Sequence, residues 1–148
     1  MPEKDFYQIS LKLFLKNKKG EVLVLRAVDA GTLKGFYDFP GGRVHVEEFK
    51  TPLLKILKRE VKEEIGDVDF EIKPRPIAWG RHEISAAFSS SGKAIHIFYL
   101  YFEAEYKKGT VKISKEHQGY KWLNLDKINP NKYFKSGFLQ GVKMYRNL

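Results

Sequence analysis

The segment Thr51–Gly66, TPLLKILKREVKEEIG, decides how the rest of the chain is read. Leu54, Leu57, Val61 and Ile65 recur at spacings of 3, 4 and 4, the apolar stripe of a helix lying against a core. Thr51 is a capping residue type, Pro52 suits a first turn and Gly66 is a natural stop, so the pattern predicts a helix over Thr51–Ile65. On that helix Glu60, Glu63 and Glu64 fall at i, i+3 and i+4 and share one face. At roughly 100° per residue the acidic face adjoins the apolar stripe, which sets it at the margin of the core.

Without a counter-charge this arrangement is poor. Glu60 and Glu64 repel at i,i+4 by about 0.2–0.5 kcal/mol. The dipole of the last turns disfavours each anion by about 0.3–1 kcal/mol. A divalent cation reverses both effects, and clustered carboxylate oxygens suit Mg²⁺ or Mn²⁺. The alternative is a solvated face balanced by Lys58, Arg59 and Lys62. Just upstream, Pro40-Gly41-Gly42-Arg43 reads as a turn whose glycines let backbone approach a neighbour or ligand closely, and Glu47-Glu48 leads into the helix. A glycine loop with carboxylates, followed by a helix with three more, outlines a metal site.

Strands are expected on both sides of this unit. Phe6–Leu15 alternates Ile9, Leu11, Leu13 and Leu15 with Ser10, Lys12 and Phe14, the pattern of a half-buried strand. A turn at Asn17–Gly20 and the run Glu21–Val28 complete a hairpin. Asp29–Gly35 reads as loop and Phe36–Phe39 as a short extended piece. Phe70–Ile84 is expected to hold a strand broken by Pro74 and Pro76, and Ser85–Lys93 is flexible by composition. Ala94–Tyr106 is strongly β-prone and His117–Leu123 is a short final strand. Asn129-Pro130 opens a helical region carrying Phe134, Phe138, Val142 and Tyr145, in which Gly137 and Gly141 are unfavourable residues. With no repeat or linker, residues 1–148 read as one domain with a mixed or antiparallel sheet and helices packed on it, an α/β (α+β) class.

The chain has no cysteine, which excludes disulfides, thiolate zinc sites and cysteine nucleophiles. His82, His96 and His117 lack metal-ligand spacing, and His45 stands apart from them. The N-terminus lacks the apolar core of a signal peptide and no apolar run approaches membrane-span length, so a cytoplasmic protein with no membrane partner is expected. Lys and Arg total 27 against 18 Asp and Glu, a net charge of +9. Residues 107–148 hold ten of those bases and two of the acids, so they carry +8 of it. Such a segment either steers a polyanion such as a nucleotide or RNA, or is a solvated lysine-rich surface.

The stretch GGRVHVEEFKTPLLKILKREVKEEIGDV, residues 41–68, resembles the signature of the Nudix hydrolase superfamily. That signature is Gly, five residues, Glu, seven residues, then Arg-Glu-apolar-X-Glu-Glu-X-Gly-apolar. Gly42 and Glu48 fit the first half, and Arg59–Gly66 fits every position of the second. Two departures stand out: ten residues rather than seven separate Glu48 from Arg59, and Asp67 follows Gly66 where an apolar residue is usual. The resemblance implies an α/β/α sandwich with a mixed sheet. It also implies hydrolysis of a nucleoside diphosphate linked to another moiety, with Mg²⁺ or Mn²⁺. By that resemblance Glu60 and Glu64 are principal metal ligands, Glu63 a third ligand or the base, and the Gly42 carbonyl a further ligand. Arg59 orients a loop carboxylate, with Glu48 the candidate.

The general base stays open between the box and a later loop, where Glu116 is the candidate and Glu83 a weaker one. Arg26 is a candidate phosphate or ribose contact, and Tyr37, Phe36 and Trp79 are candidates to stack on a base, while Trp122 is expected to pack. An RNA-end or dinucleoside-polyphosphate hydrolase, or a non-catalytic nucleotide- or nucleic-acid-binding module, are the alternative readings. Oligomeric state is left open.

Overall fold

A computed structural model describes residues 1–28 and 31–148. Its centre is a parallel pair, β1 (Tyr7–Lys16) beside β7 (Ile95–Lys108), registered from Tyr7↔His96 to Lys16↔Glu105. After the Asn17–Gly20 turn, β2 (Val22–Ala27) meets β1 at Lys16↔Val22 and pairs along its length with β8 (His117–Leu123). The expected hairpin therefore exists at its base, and β8 is the main partner of β2. β3 (Tyr37–Asp38) pairs β2, and β4 (Gly41–Arg43) pairs β1. β5 (Asp69–Ile72) and β6 (Ala78–Ile84) both lie antiparallel to β7, completing one mixed eight-stranded sheet. The strand expected over Phe70–Ile84 is interrupted at Pro74 and Pro76 as expected and forms β5 and β6, because neither proline can supply a ladder N–H.

Helices cover both faces. α1 (Leu53–Ile65) buries Ile56, Leu57, Val61 and Ile65 against Leu11, Leu13, Leu15, Leu23 and Leu25. α2 (Pro130–Tyr133) and α3 (Ser136–Arg146) bury Phe134, Phe138 and Val142 against Phe14, Phe39, Tyr99 and Tyr101. This is the α/β/α sandwich with a mixed sheet that the resemblance implied. No helix among the described residues is long and apolar enough to cross a membrane. Of the loop expected at Asp29–Gly35, residues 29 and 30 lie outside the described residues.

Several local expectations are corrected. Pro52, not Thr51, is the N-cap of α1, and no side chain caps it. Ile56 takes the buried place expected of Leu54, which is half-buried. β1 is not half-buried: Ser10, Lys12 and Phe14 are as enclosed as its leucines, because α3 covers the second face. Pro40-Gly41-Gly42-Arg43 is not only a turn, since Gly41–Arg43 is a strand against β1. There Gly41 has φ 135° and an added Cβ would stand 1.9 Å from the Leu11 carbonyl oxygen, so only glycine fits. Gly137 and Gly141 let α3 settle on the rings of Tyr99 and Tyr101, each at 2.4 Å from where a Cβ would be.

The end of α1 positions the site. Gly66, at φ 85°, donates its N–H to the Lys62 carbonyl. The free carbonyls of Glu64 and Ile65 accept from Ser114 and Lys112 at 2.9 and 2.8 Å. This clamp draws the segment before β8, and with it Glu116 and His117, to the last turn of α1.

Candidate active site

A cavity of about 530 Å³ opens between the end of α1, the face of β1 and the start of α3. Glu60, Glu64 and Gly42 line it, together with Lys12, Asp38 and His117. Glu64 is 6% exposed, and its Oε2 has no hydrogen-bond partner. The orphaned Nδ1 of His117 lies 3.7 Å away. The backbone of Gly42 lies so close to Glu60 that a Cβ there would be 2.3 Å from its Oε2.

Behind Glu64 runs a buried ion chain. Lys12 Nζ donates to the Phe39 carbonyl at 3.2 Å and stands 3.1 Å from Asp38 Oδ1. The other Asp38 oxygen lies 3.3 Å from His117 Nε2. An ionised carboxylate only accepts, so Nε2 carries the proton. Burial opposes the charge on Lys12, Asp38 and His117 alike, but the attraction of the two cations to Asp38, and to Glu64 beside it, overcomes it. Lys12 and His117 accordingly have raised pKa values and Asp38 a lowered one. For Glu64 burial wins. Lys12 and His117 favour its anion, Asp38 and Glu116 oppose it, and the carboxyl is pushed up to about 7.

Arg59 gathers the other acids. Its guanidinium donates to Glu48 Oε2 at 2.6 Å and Glu63 Oε1 at 3.0 Å, and stands 3.2 Å from Glu60 Oε1. Glu48 also accepts the N–H of His45 at 2.9 Å; that bond first, and then Arg59, hold its pKa below the usual range against the opposing effect of desolvation. The ten residues between Glu48 and Arg59 thus do not prevent the pair from meeting. They follow a short 3-10 turn, Val46–Glu48, and hold a connection with exposed Phe49 and the start of α1.

The sequence candidates separate into two groups. Glu60, Glu64, Gly42 and Glu116 line one cavity, with Glu48 and Arg59 behind Glu60. Glu63 is exposed on Arg59 and does not line it. Arg26, Tyr37 and Trp79 do not line it either. Tyr37 is buried in the core under Tyr133, because alternation in β3 sends Asp38, its neighbour, to the site. Trp79 is exposed on β6, where alternation sends Gly80 and His82 inward, and Arg26 is exposed at the end of β2. Glu83 is likewise outward, paired with His96 at 2.8 Å. Sequence reasoning missed Lys12, Asp38 and His117. The signal was Lys12, a charge within an apolar strand, and it is visible only once both faces of β1 are known to be covered.

Among the described residues, no three His, Asp or Glu side chains are gathered as a ready-made ion cage. The donors nonetheless suit a hard cation: two carboxylates and a glycine backbone on one cavity, with one buried carboxylate oxygen left unpartnered. The third carboxylate, Glu63, is turned to Arg59.

The chain matches the NUDIX domain over residues 7–141. It is similar in structure to the MutT protein from Methanosarcina mazei Go1, at 26% identity and a TM-score of 0.78, over 99% of this chain and 97% of that one. It resembles an ADP-ribose pyrophosphatase from Streptococcus suis 89-1591 at 14% identity and a TM-score of 0.60, over 94% and 87%. A C. elegans Ap4A hydrolase matches at 22% identity and a TM-score of 0.54, over 80% and 81%. These last two show a shared fold only. No curated protein matches the chain in sequence. With nearly the whole chain inside the domain match, this protein belongs to the Nudix family and is a hydrolase of phosphoanhydride bonds.

Proposed function

We infer that this protein hydrolyses a nucleoside diphosphate linked to another moiety, in a reaction that depends on Mg²⁺ or Mn²⁺ and is carried by one domain spanning residues 1–148. The observation that carries this reading is Glu64: a buried carboxylate with an unpartnered oxygen, beside Glu60 and Gly42, on a cavity able to hold a nucleotide. The names of the structural neighbours, ADP-ribose pyrophosphatase and Ap4A hydrolase, support a nucleotide-type substrate.

Glu60, Glu64 and the Gly42 carbonyl would hold the cation, with Glu63 joining on release from Arg59. When bound, the ion neutralises charge developing on the phosphoryl oxygens and acidifies water. Arg59 keeps Glu48 and Glu60 in place through its fork of N–H donors. His117 and Lys12 present positive charge toward Glu64. Glu116, exposed at the cavity's edge, is the acid free to take a proton from attacking water.

A screen of nucleoside triphosphates, ADP-ribose and dinucleoside polyphosphates, each with Mg²⁺, Mn²⁺ or EDTA, tests the reading. Turnover with metal and none in EDTA is expected. Turnover that persists in EDTA contradicts it. The basic C-terminal third supports a second reading, an RNA-end substrate, which the same screen decides with a 5′-triphosphate RNA.

A further inference from the structure

The floor of the cavity holds two hydroxyls that hydrolysis leaves unused, beside the Lys12 ammonium. Ser10 and Lys12 lie on β1 and Tyr99 on β7, with Ser10 and Tyr99 directly opposite in the parallel register. They are 2%, 6% and 4% exposed, and all three line the cavity. Within the described residues neither hydroxyl has a hydrogen-bond partner, whereas Tyr101, on the same strand, donates to the Gly137 carbonyl. Lys12 has three N–H groups and two protein acceptors, Phe39 O and Asp38 Oδ1.

The acceptors of Asp38 and His82 are already taken. Asp38 receives Lys12 and the Phe39 N–H on Oδ1, and His117 on Oδ2. His82 spends Nε2 on Thr32 and Nδ1 on Ser136, at 3.0 and 2.8 Å. The floor around Ser10, Lys12 and Tyr99 thus offers N–H and O–H groups, while the two unpartnered acceptors of the cavity, Glu64 Oε2 and His117 Nδ1, face each other at 3.7 Å at the end the cation would take. Phe138, Ile84 and Ile97 supply apolar wall around it. A flat ring with an acceptor at its edge matches these groups.

We propose that Ser10, Lys12 and Tyr99 read the nucleobase and select one carrying a carbonyl at its edge, of the uracil, thymine or guanine kind. Cytosine and adenine present an amino group at the same position. Against the Lys12 ammonium that amino group meets donor with donor, and both stay unpaired in a buried site. The inference deepens the nucleotide reading above and rests on it.

The test measures binding of uridine against cytidine monophosphate, and guanosine against adenosine monophosphate. It uses the full chain in EDTA, as wild type, Tyr99→Phe and Ser10→Ala. Neither hydroxyl has a protein partner, so both variants keep the fold, and a melting curve checks this. The carbonyl-bearing nucleotide of each pair is expected to bind at least about tenfold more tightly, with the gap shrinking severalfold in Tyr99→Phe. Equal affinities within both pairs, binding of neither member up to millimolar concentration, or a gap unchanged in both variants overturns the proposal. Mg²⁺-dependent hydrolysis of the matching triphosphates separates the two readings. Base-selective binding without turnover sinks the hydrolytic reading alone, and turnover without base selectivity sinks this one alone.

Discussion

Replacing Glu64 by Gln in the metal-free protein is expected to raise stability at neutral pH and above. Two like charges at i,i+4 on a surface helix give only a few tenths of a kcal/mol. The structure makes the effect larger, because Glu64 is 6% exposed and burial pushes its carboxyl from 4.5 to about 7. At 1.36 kcal/mol per pH unit, the ionised form costs the fold about 3 kcal/mol. The sign follows from the raised value. An acid that holds its proton more tightly when folded stabilises the fold below pH 4.5, and that contribution is lost as pH rises to about 7. Gln keeps the shape of the protonated form at every pH. Urea unfolding of both proteins in EDTA is the assay, since Lys12, Asp38 and His117 titrate in both and their effects largely cancel in the difference. The variant should match wild type near pH 4 and exceed it by about 3 kcal/mol at pH 8. A variant no more stable than wild type at pH 8 would refute the claim that Glu64 is held as a costly buried anion. Saturating Mg²⁺ should close the gap from the wild-type side, by stabilising only the protein that binds it.

Gly141→Ala would set a methyl 2.4 Å from the Tyr101 ring, and overpacking should cost about 1–3 kcal/mol in thermal or urea unfolding; a change within 0.5 kcal/mol, the usual range for a surface substitution, would contradict the packing described. Arg59→Gln removes the shared partner of Glu48, Glu60 and Glu63, and kcat is expected to fall at least about tenfold while the fold persists; unchanged kcat would show the cluster to be ornamental. If the lysines of residues 107–148 steer substrate, kcat/KM should fall steeply with salt while kcat holds, and a flat profile would leave them a solvated surface.

The acidic helix was legible because its evidence is local. The apolar spacing of Leu57, Val61 and Ile65, the Gly66 stop and the shared face of Glu60 and Glu64 all follow from one helix period. Non-local packing was not legible. Lys12 looked solvent-facing because alternation says which residues share a face but not whether that face is covered. Covering it took α3, whose glycines lower helix propensity yet allow its contact with Tyr99 and Tyr101. Tyr37 and Asp38 show the same limit at a finer scale, since one residue of register decides which enters the core and which the site. His117 was weighed only as a metal ligand. Its link to Asp38 joins positions 79 apart in sequence, and no spacing rule reaches that far.

The most direct test of the central claim is the Mg²⁺-dependent rate of Glu64→Gln against wild type on the best substrate of the screen. The account predicts a loss of several orders of magnitude in kcat from a protein that is folded and, without metal, more stable. A Glu64→Gln protein as active as wild type would mean that the buried carboxylate serves the fold alone and that the catalytic centre lies elsewhere.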